Sequence, residues 1–171
     1  VAGSEIRVRR AKPWEASVLT RITVASKRYW GYPEELLRLW ESELTLTPSY
    51  IEKNEVYTAL RGEGPVAVFA LVDHDGVEWE LEHLWIDPAH IGGGIGALLF
   101  REAVRLARAG GAKSLRIVSD PNAEGFYLRM GAARVGSVAS RPEGRRLPVL
   151  RFAIGDPATR TAARGGPSDS R

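Results

Sequence analysis

Between Ile91 and Gly96 the chain reads Ile-Gly-Gly-Gly-Ile-Gly, and this short run constrains the fold more than any other segment. It is preceded by an alternating stretch, Trp79 to Ile86, that predicts a strand. It is followed by Ile95, Leu99, Ala103 and Leu106 at the spacing of a buried helical face, closed by Gly110-Gly111. A strand, a glycine loop and a helix in direct succession expose backbone amides at the helix N-terminus, where they meet no side-chain obstruction and carry a partial positive charge. Such a loop can cradle a pyrophosphate. A glycine run can equally serve to reverse the chain. The dinucleotide-binding fingerprint would require a glycine three residues after Gly96, where Leu99 stands, and no Gly-Lys-Ser/Thr completes a nucleotide P-loop.

The rest of the chain supplies a sheet around this unit. Ile6 to Arg10 predicts a first strand, and Ala16, Leu19 and Ile22 a first helix after Pro13. Leu36, Leu37 and Trp40 predict a second helix over Glu34 to Glu43, and Pro48 opens a turn or short helix ending near Asn54. Glu55 to Arg61, Val66 to Asp73 and Trp79 to Ile86 predict an antiparallel meander. Ser114 to Ser119 predicts a further strand, and Asp120 with Pro121 at one end and Gly131 at the other bound a helix over Pro121 to Met130. Val135 to Ser140 and Leu147 to Ile154 close the sheet. The expectation is a single α/β (α+β) domain over residues 1–154, then a disordered tail over residues 155–171 that is small, polar and without periodicity.

Composition removes several function classes. At 171 residues the chain can bury roughly two thirds of its unfolded surface. The longest apolar run, Val66 to Val72, is far short of the ~20 residues that span a bilayer, and Val1 to Arg7 lacks the features of a secretory signal, so no membrane association and a cytoplasmic location are expected. There is no cysteine, and the three histidines, His74, His83 and His90, match no paired metal-ligand spacing, so no metal is expected. The net charge of +3 is spread among acids without a basic block or recognition motif. That suits an anionic cofactor better than a nucleic acid.

The motifs Leu84-Trp85-Ile86-Asp87-Pro88, Gly92 to Gly96, Asp120-Pro121-Asn122-Ala123, Phe126-Tyr127 and Met130-Gly131 together resemble the GCN5-related N-acetyltransferases, the GNAT superfamily. The resemblance extends over about Ile6 to Ile154 and is strongest from Glu80 to Gly136. It implies a central mixed, mostly antiparallel sheet of about seven strands flanked by about four helices, with acetyl-CoA as acyl donor. By the same resemblance, backbone groups of Leu84, Trp85 and Ile86 would pair with the pantetheine arm. The amides of Ile91, Gly92, Gly93, Gly94, Ile95 and Gly96 would hold the pyrophosphate, and Asp120, Asn122 and Phe126 would complete the cofactor site. The family usually begins this loop with Gln or Arg; this chain has Ile91.

Acyl transfer to an amine needs a deprotonated amine, stabilisation of the oxyanion and a proton for the thiolate. Tyr127 matches the tyrosine that the family uses as general acid, and an unperturbed phenol, with pKa about 10, can donate at neutral pH. Seven residues earlier, nearly two helical turns and hence on the same face, the family commonly has asparagine where this chain has Asp120. Asp120 is then either a cofactor contact or a helix cap. Glu82 is the candidate base, placed by strand alternation on one face with Glu80 and with His83 opposite; the alternative is a solvated strand charge and an amine deprotonated through water. An oxyanion donor from the backbone near Leu84 or Ile86 fits the family. Tyr29, Trp30 and Tyr32, with Arg145 of the Arg141 to Arg146 loop, are the candidate acceptor site; core anchoring explains these aromatics equally well. The reading is an N-acetyltransferase acting by direct attack on a small-molecule amine or a protein acceptor. A non-catalytic acyl-CoA-binding sensor of the same fold is the alternative. Oligomeric state is left open, a homodimer included.

Overall fold

The computed structural model describes residues 5–155. The expected tail therefore lies outside the described residues, apart from Gly155. Seven strands form one sheet: β1 (Ile6–Arg10), β2 (Glu55–Arg61), β3 (Gly64–Asp73), β4 (Glu78–Ile86), β5 (Ser114–Val118), β6 (Ala133–Ala139) and β7 (Arg146–Ala153), in the order β1-β2-β3-β4-β5-β7-β6. Every neighbouring pair is antiparallel except β4 and β5. These two are joined by the crossover that contains the glycine loop and α5 (Ile95–Ala109), as a parallel pair requires. The other helices are α1 (Ala16–Tyr29), α2 (Glu34–Leu39), α3 (Glu41–Leu44), α4 (Pro48–Lys53) and α6 (Glu124–Arg129), six in all among the described residues where about four were expected.

Two expected helices are each divided. The second is interrupted at Trp40, which leaves the α-helical region and buries its ring with Leu37 and Leu44. The one expected over Pro121 to Met130 begins as a 3₁₀ turn, Pro121–Ala123, before α6 proper. Asp120 caps that turn, accepting the Asn122 N–H at 2.9 Å. It therefore stands before the helix, and the expectation that it shares a helical face with Tyr127 does not hold.

Both faces of the sheet are covered, which explains the unbroken apolar run of β3. Ala67, Phe69 and Leu71 meet Leu99, Phe100 and Ala103 of α5 on one face; Val68 and Ala70 meet Leu19 and Ile22 of α1 on the other. β4 carries a β-bulge: Ala70 pairs with His83 and Leu71 with Leu81, leaving Glu82 as the extra residue. Strict alternation is lost there. His83 therefore shares a face with Glu80, where strand periodicity places it opposite, and Glu82 meets Tyr50, whose ring packs on His83; the placement of His83 is a correction to the expectation from strand periodicity.

Candidate active site

The site arises where β4 and β5 separate. Their parallel pairing covers only Glu78 to Glu80 against Ser114 to Arg116, although β4 continues to Ile86 and β5 to Val118. Beyond Glu80 the strands splay, and β4 keeps ladder partners on its β3 side alone. A cavity opens on each side of the splay. The first, about 390 Å³, is lined by Leu84, Trp85 and Ile86 of β4, by Ile91, Gly92, Gly94 and Gly96 of the loop, and by Asn122, Ala123, Phe126, Tyr127 and Arg129 beyond β5. The second, about 290 Å³, is lined by Lys27, Trp40, Glu43, Glu80, His83, Ser140 and Arg145 among others. Glu82, Trp85, Val118 and Asp120 line both.

The first cavity is walled by backbone and apolar carbon. Gly92 and Gly94 have φ of +86° and +78°, left-handed values that side chains resist, and a Cβ on either would meet no atom within 4 Å. Among the described residues the amides of Gly92 through Ala97 have no backbone acceptor, as the free end of α5 dictates. At Gly96 a Cβ would stand 3.2 Å from Ile86 Cδ1 and 3.3 Å from Phe126, so this glycine lets the helix end press against the cavity wall. Tyr127 is 6% exposed, packed against Phe126 and Phe100, and its hydroxyl makes no hydrogen bond among the described residues. Burial pushes its phenol above the ordinary value.

The second cavity is walled by charge. Lys27 and Asp120, with side chains 8% and 6% exposed, form an ion pair. Asp120 also accepts from the Tyr32 hydroxyl at 3.1 Å and from Asn122 Nδ2 at 2.9 Å, and lies 3.5 Å from Arg145 Nη2. Burial alone would raise the Asp120 carboxyl; the hydrogen bond and charge of Lys27, with the Asn122 donors, outweigh it and hold the group below its ordinary value. For Lys27 burial prevails over the pull of Asp120, and Arg145 adds to it, so the ammonium is held less firmly than usual. That ammonium sits 4.6 Å from the Trp40 ring and 4.7 Å from the Tyr32 ring. Glu82 accepts from the Tyr50 hydroxyl and forms no ion pair among the described residues. His83 accepts the Trp85 indole N–H on Nδ1 at 2.9 Å, and burial lowers its pKa, so the ring is neutral with its proton on Nε2.

The model of the acetyltransferase (GNAT) family matches residues 19–132. The chain belongs to this family. No curated protein matches it. Among solved structures, this GNAT chain is similar to the PaiA N-acetyltransferase of Thermoplasma acidophilum in complex with coenzyme A, at 17% identity and a TM-score of 0.75 over 87% of this chain and 99% of that one. It is similar to a GCN5-related N-acetyltransferase from Rhodopseudomonas palustris at 20% identity and a TM-score of 0.72, over 90% and 98%. An aminoglycoside 6′-N-acetyltransferase complexed with coenzyme A aligns at 11% identity and a TM-score of 0.63, over 88% and 98%. These likenesses establish the GNAT fold.

Within the GNAT frame the singled-out residues separate into three groups. Leu84, Trp85, Ile86, Ile91, Gly92, Gly94, Gly96, Asn122, Phe126 and Tyr127 are brought together around the first cavity; Gly93 is outside its lining, and Ile95 turns its side chain into the core. Glu82 and Asp120 stand at the junction. Of the four acceptor candidates only Arg145 lines the second cavity: Trp30 lines the first, Tyr29 lines neither, and Tyr32 supports Asp120 from behind. Lys27, Trp40, Tyr50 and Arg129 escaped the sequence reading. Lys27 lies in the last turn of α1, where a lysine ordinarily faces water, and no local pattern distinguishes it. Trp40 continues the helical spacing of Leu36 and Leu37, so no local signal marks its place in the cavity either.

Proposed function

We propose that this chain transfers the acetyl group of acetyl-CoA to a primary amine by direct attack, the donor in the first cavity and the acceptor in the second. The observation that carries this reading is the meeting of the two cavities at Glu82 and Asp120, in the gap between β4 and β5. The residues fit the donor. The free amides of Gly92 to Ala97 suit a pyrophosphate, and the unpaired edge of β4 along Leu84 to Ile86 suits an extended amide-bearing arm. Arg129, with no ion pair among the described residues, adds a cation to the same wall.

Bound acetyl-CoA supplies an activated acyl group with a thiolate as leaving group. An acceptor amine entering beside Glu82 attacks the thioester carbon; the N–C bond forms and the C–S bond breaks. Glu82 takes the amine proton and Tyr127 donates its hydroxyl proton to the departing sulfur, leaving an acetamide and the free thiol. Both side chains then exchange protons with solvent. Because burial raises the Tyr127 phenol, it stays protonated across the physiological range, so the pH dependence of turnover reports the amine and its base rather than Tyr127. The amine attacks the thioester itself, so no covalent acyl-enzyme is required, in keeping with a sequence that has no cysteine and no visible serine, histidine and acid arrangement. Thiol release from acetyl-CoA across an amine panel tests the proposal. Amine-dependent release is expected; tight acetyl-CoA binding without release for any amine would leave the sensor reading in its place.

A further inference from the structure

We infer that the acceptor is a primary amine that also carries a carboxylate, bound with its amine toward Glu82 and its carboxylate toward Arg145. This rests on the transferase reading above and adds the chemical class of the substrate. The argument is an account of charge in the second cavity. Lys27 is matched by Asp120, Glu80 by Arg116 at 2.9 Å, and Glu43 by Arg141. Two charged groups remain. Among the described residues Glu82 has only the neutral Tyr50 hydroxyl as side-chain partner. Arg145 donates Nη1 to Ser140 Oγ at 3.0 Å, while Nη2 is buried without a hydrogen-bond acceptor and is 3.5 Å from an Asp120 oxygen that already serves Lys27. A buried donor left unmade is costly, and a ligand carboxylate would satisfy the fork.

The two unmatched charges also give direction. Glu82 borders the donor cavity and Arg145 does not, so an amine at Glu82 is next to the acyl group and an anion at Arg145 is held away from it. The guanidinium is fixed by stacking, 4.4 Å above the Trp40 ring. Trp40, Trp85, Leu44 and Leu147 make the wall between the two ends apolar. At about 290 Å³ the cavity lies at the lower end of the ~300–1,000 Å³ range of small-molecule sites, which favours a compact aminocarboxylate.

The test compares α- and ω-amino acids of increasing length with their own carboxamides. The acids are expected to show kcat/KM roughly 10- to 100-fold above the amides, the range of a charge-assisted hydrogen bond. In Arg145→Gln this ratio should fall to near one, and Arg145→Lys should retain part of it; thermal melting of both variants checks that the fold is kept. Equilibrium binding of the same compounds, followed through tryptophan fluorescence in the presence of coenzyme A, reads recognition independently of turnover. Acids that bind in an Arg145-dependent way but are not acetylated would uphold the ligand class and overturn the transferase reading. Amides that bind and react as well as acids would overturn the inference and leave the transferase reading intact, and equal failure of acids and amides to bind would also overturn it.

Discussion

The cavity beneath the glycine loop presents main-chain amides and apolar carbon, whereas the cavity across β4 presents ionised side chains. The first is centred on the stretch of residues 84–96, with α6, the segment Val118 to Ala123 and the end of α1 closing it. The second draws on α1, the α2–α3 junction, β4, the end of β5 and the β6–β7 turn. A main-chain site holds its ligand whatever its exposed side chains are, so Ile91 can stand where the family usually has a polar residue. A side-chain site is only as sound as its charge pairing. The two should therefore fail in different ways.

The largest effect is expected at Tyr127, which lines the first cavity and is the proposed proton donor. Tyr127→Phe keeps the ring packing and removes the proton donor; kcat should fall by roughly 10²- to 10⁴-fold while acetyl-CoA affinity stays within a few fold. Steady-state kinetics with calorimetry checks this. Turnover near wild type, with the chemical step limiting, would assign the thiolate proton to solvent.

Next comes the buried pair of the second cavity. Lys27→Met should cost about 3 kcal/mol of stability at neutral pH, the lower end for breaking a buried pair, because Asn122 and Tyr32 still donate to Asp120. The loss should depend on pH in a definite direction. In the native protein the depressed Asp120 pKa adds stability that is fully present above its unfolded value, about 3.9, and is lost as pH falls through the folded value. Without Lys27 burial dominates and the carboxyl prefers its proton, so the deficit relative to wild type should shrink from pH 7 toward pH 4. Melting curves at several pH values measure it; a constant deficit would mean that Lys27 contributes through packing alone.

The main-chain cradle should break by intrusion. Gly94→Glu places a carboxylate among the amides on a backbone with φ of +78°, and acetyl-CoA affinity should drop on the order of 100-fold, about 2.7 kcal/mol. Unchanged affinity in a folded variant would remove the loop from the pyrophosphate site. The smallest effect is expected from Gly96→Ala. A helix-propensity gain of about 1 kcal/mol is set against overpacking of about 1–3 kcal/mol on Ile86 and Phe126, a net loss near 1 kcal/mol in denaturant unfolding. Acid-over-amide selectivity should not move, since that wall belongs to the other cavity.

The contrast between the cavities is also a contrast in what can be read before folding. Strand, glycine loop and helix are local signals: the 2- and 3.6-residue periods, the run Gly92 to Gly96 and the turn residues need no distant partner to be interpreted, and from them the seven strands and the wall of the first cavity follow. The bulge at Glu82 breaks the period over a single residue and has no signature of its own, so strand alternation alone puts His83 on the face opposite Glu80, whereas in the structure the two share a face. Trp40 ends α2 because its ring finds a buried place with Leu37 and Leu44, a tertiary preference that overrides helical spacing. Lys27 and Asp120 are 93 residues apart in sequence; as isolated letters they are a surface lysine and a helix cap. Burial turns them into a pair, and burial depends on how α1 and the end of β5 pack across the sheet. Backbone chemistry travels with the local sequence, while the charge state and partners of a side chain belong to its surroundings.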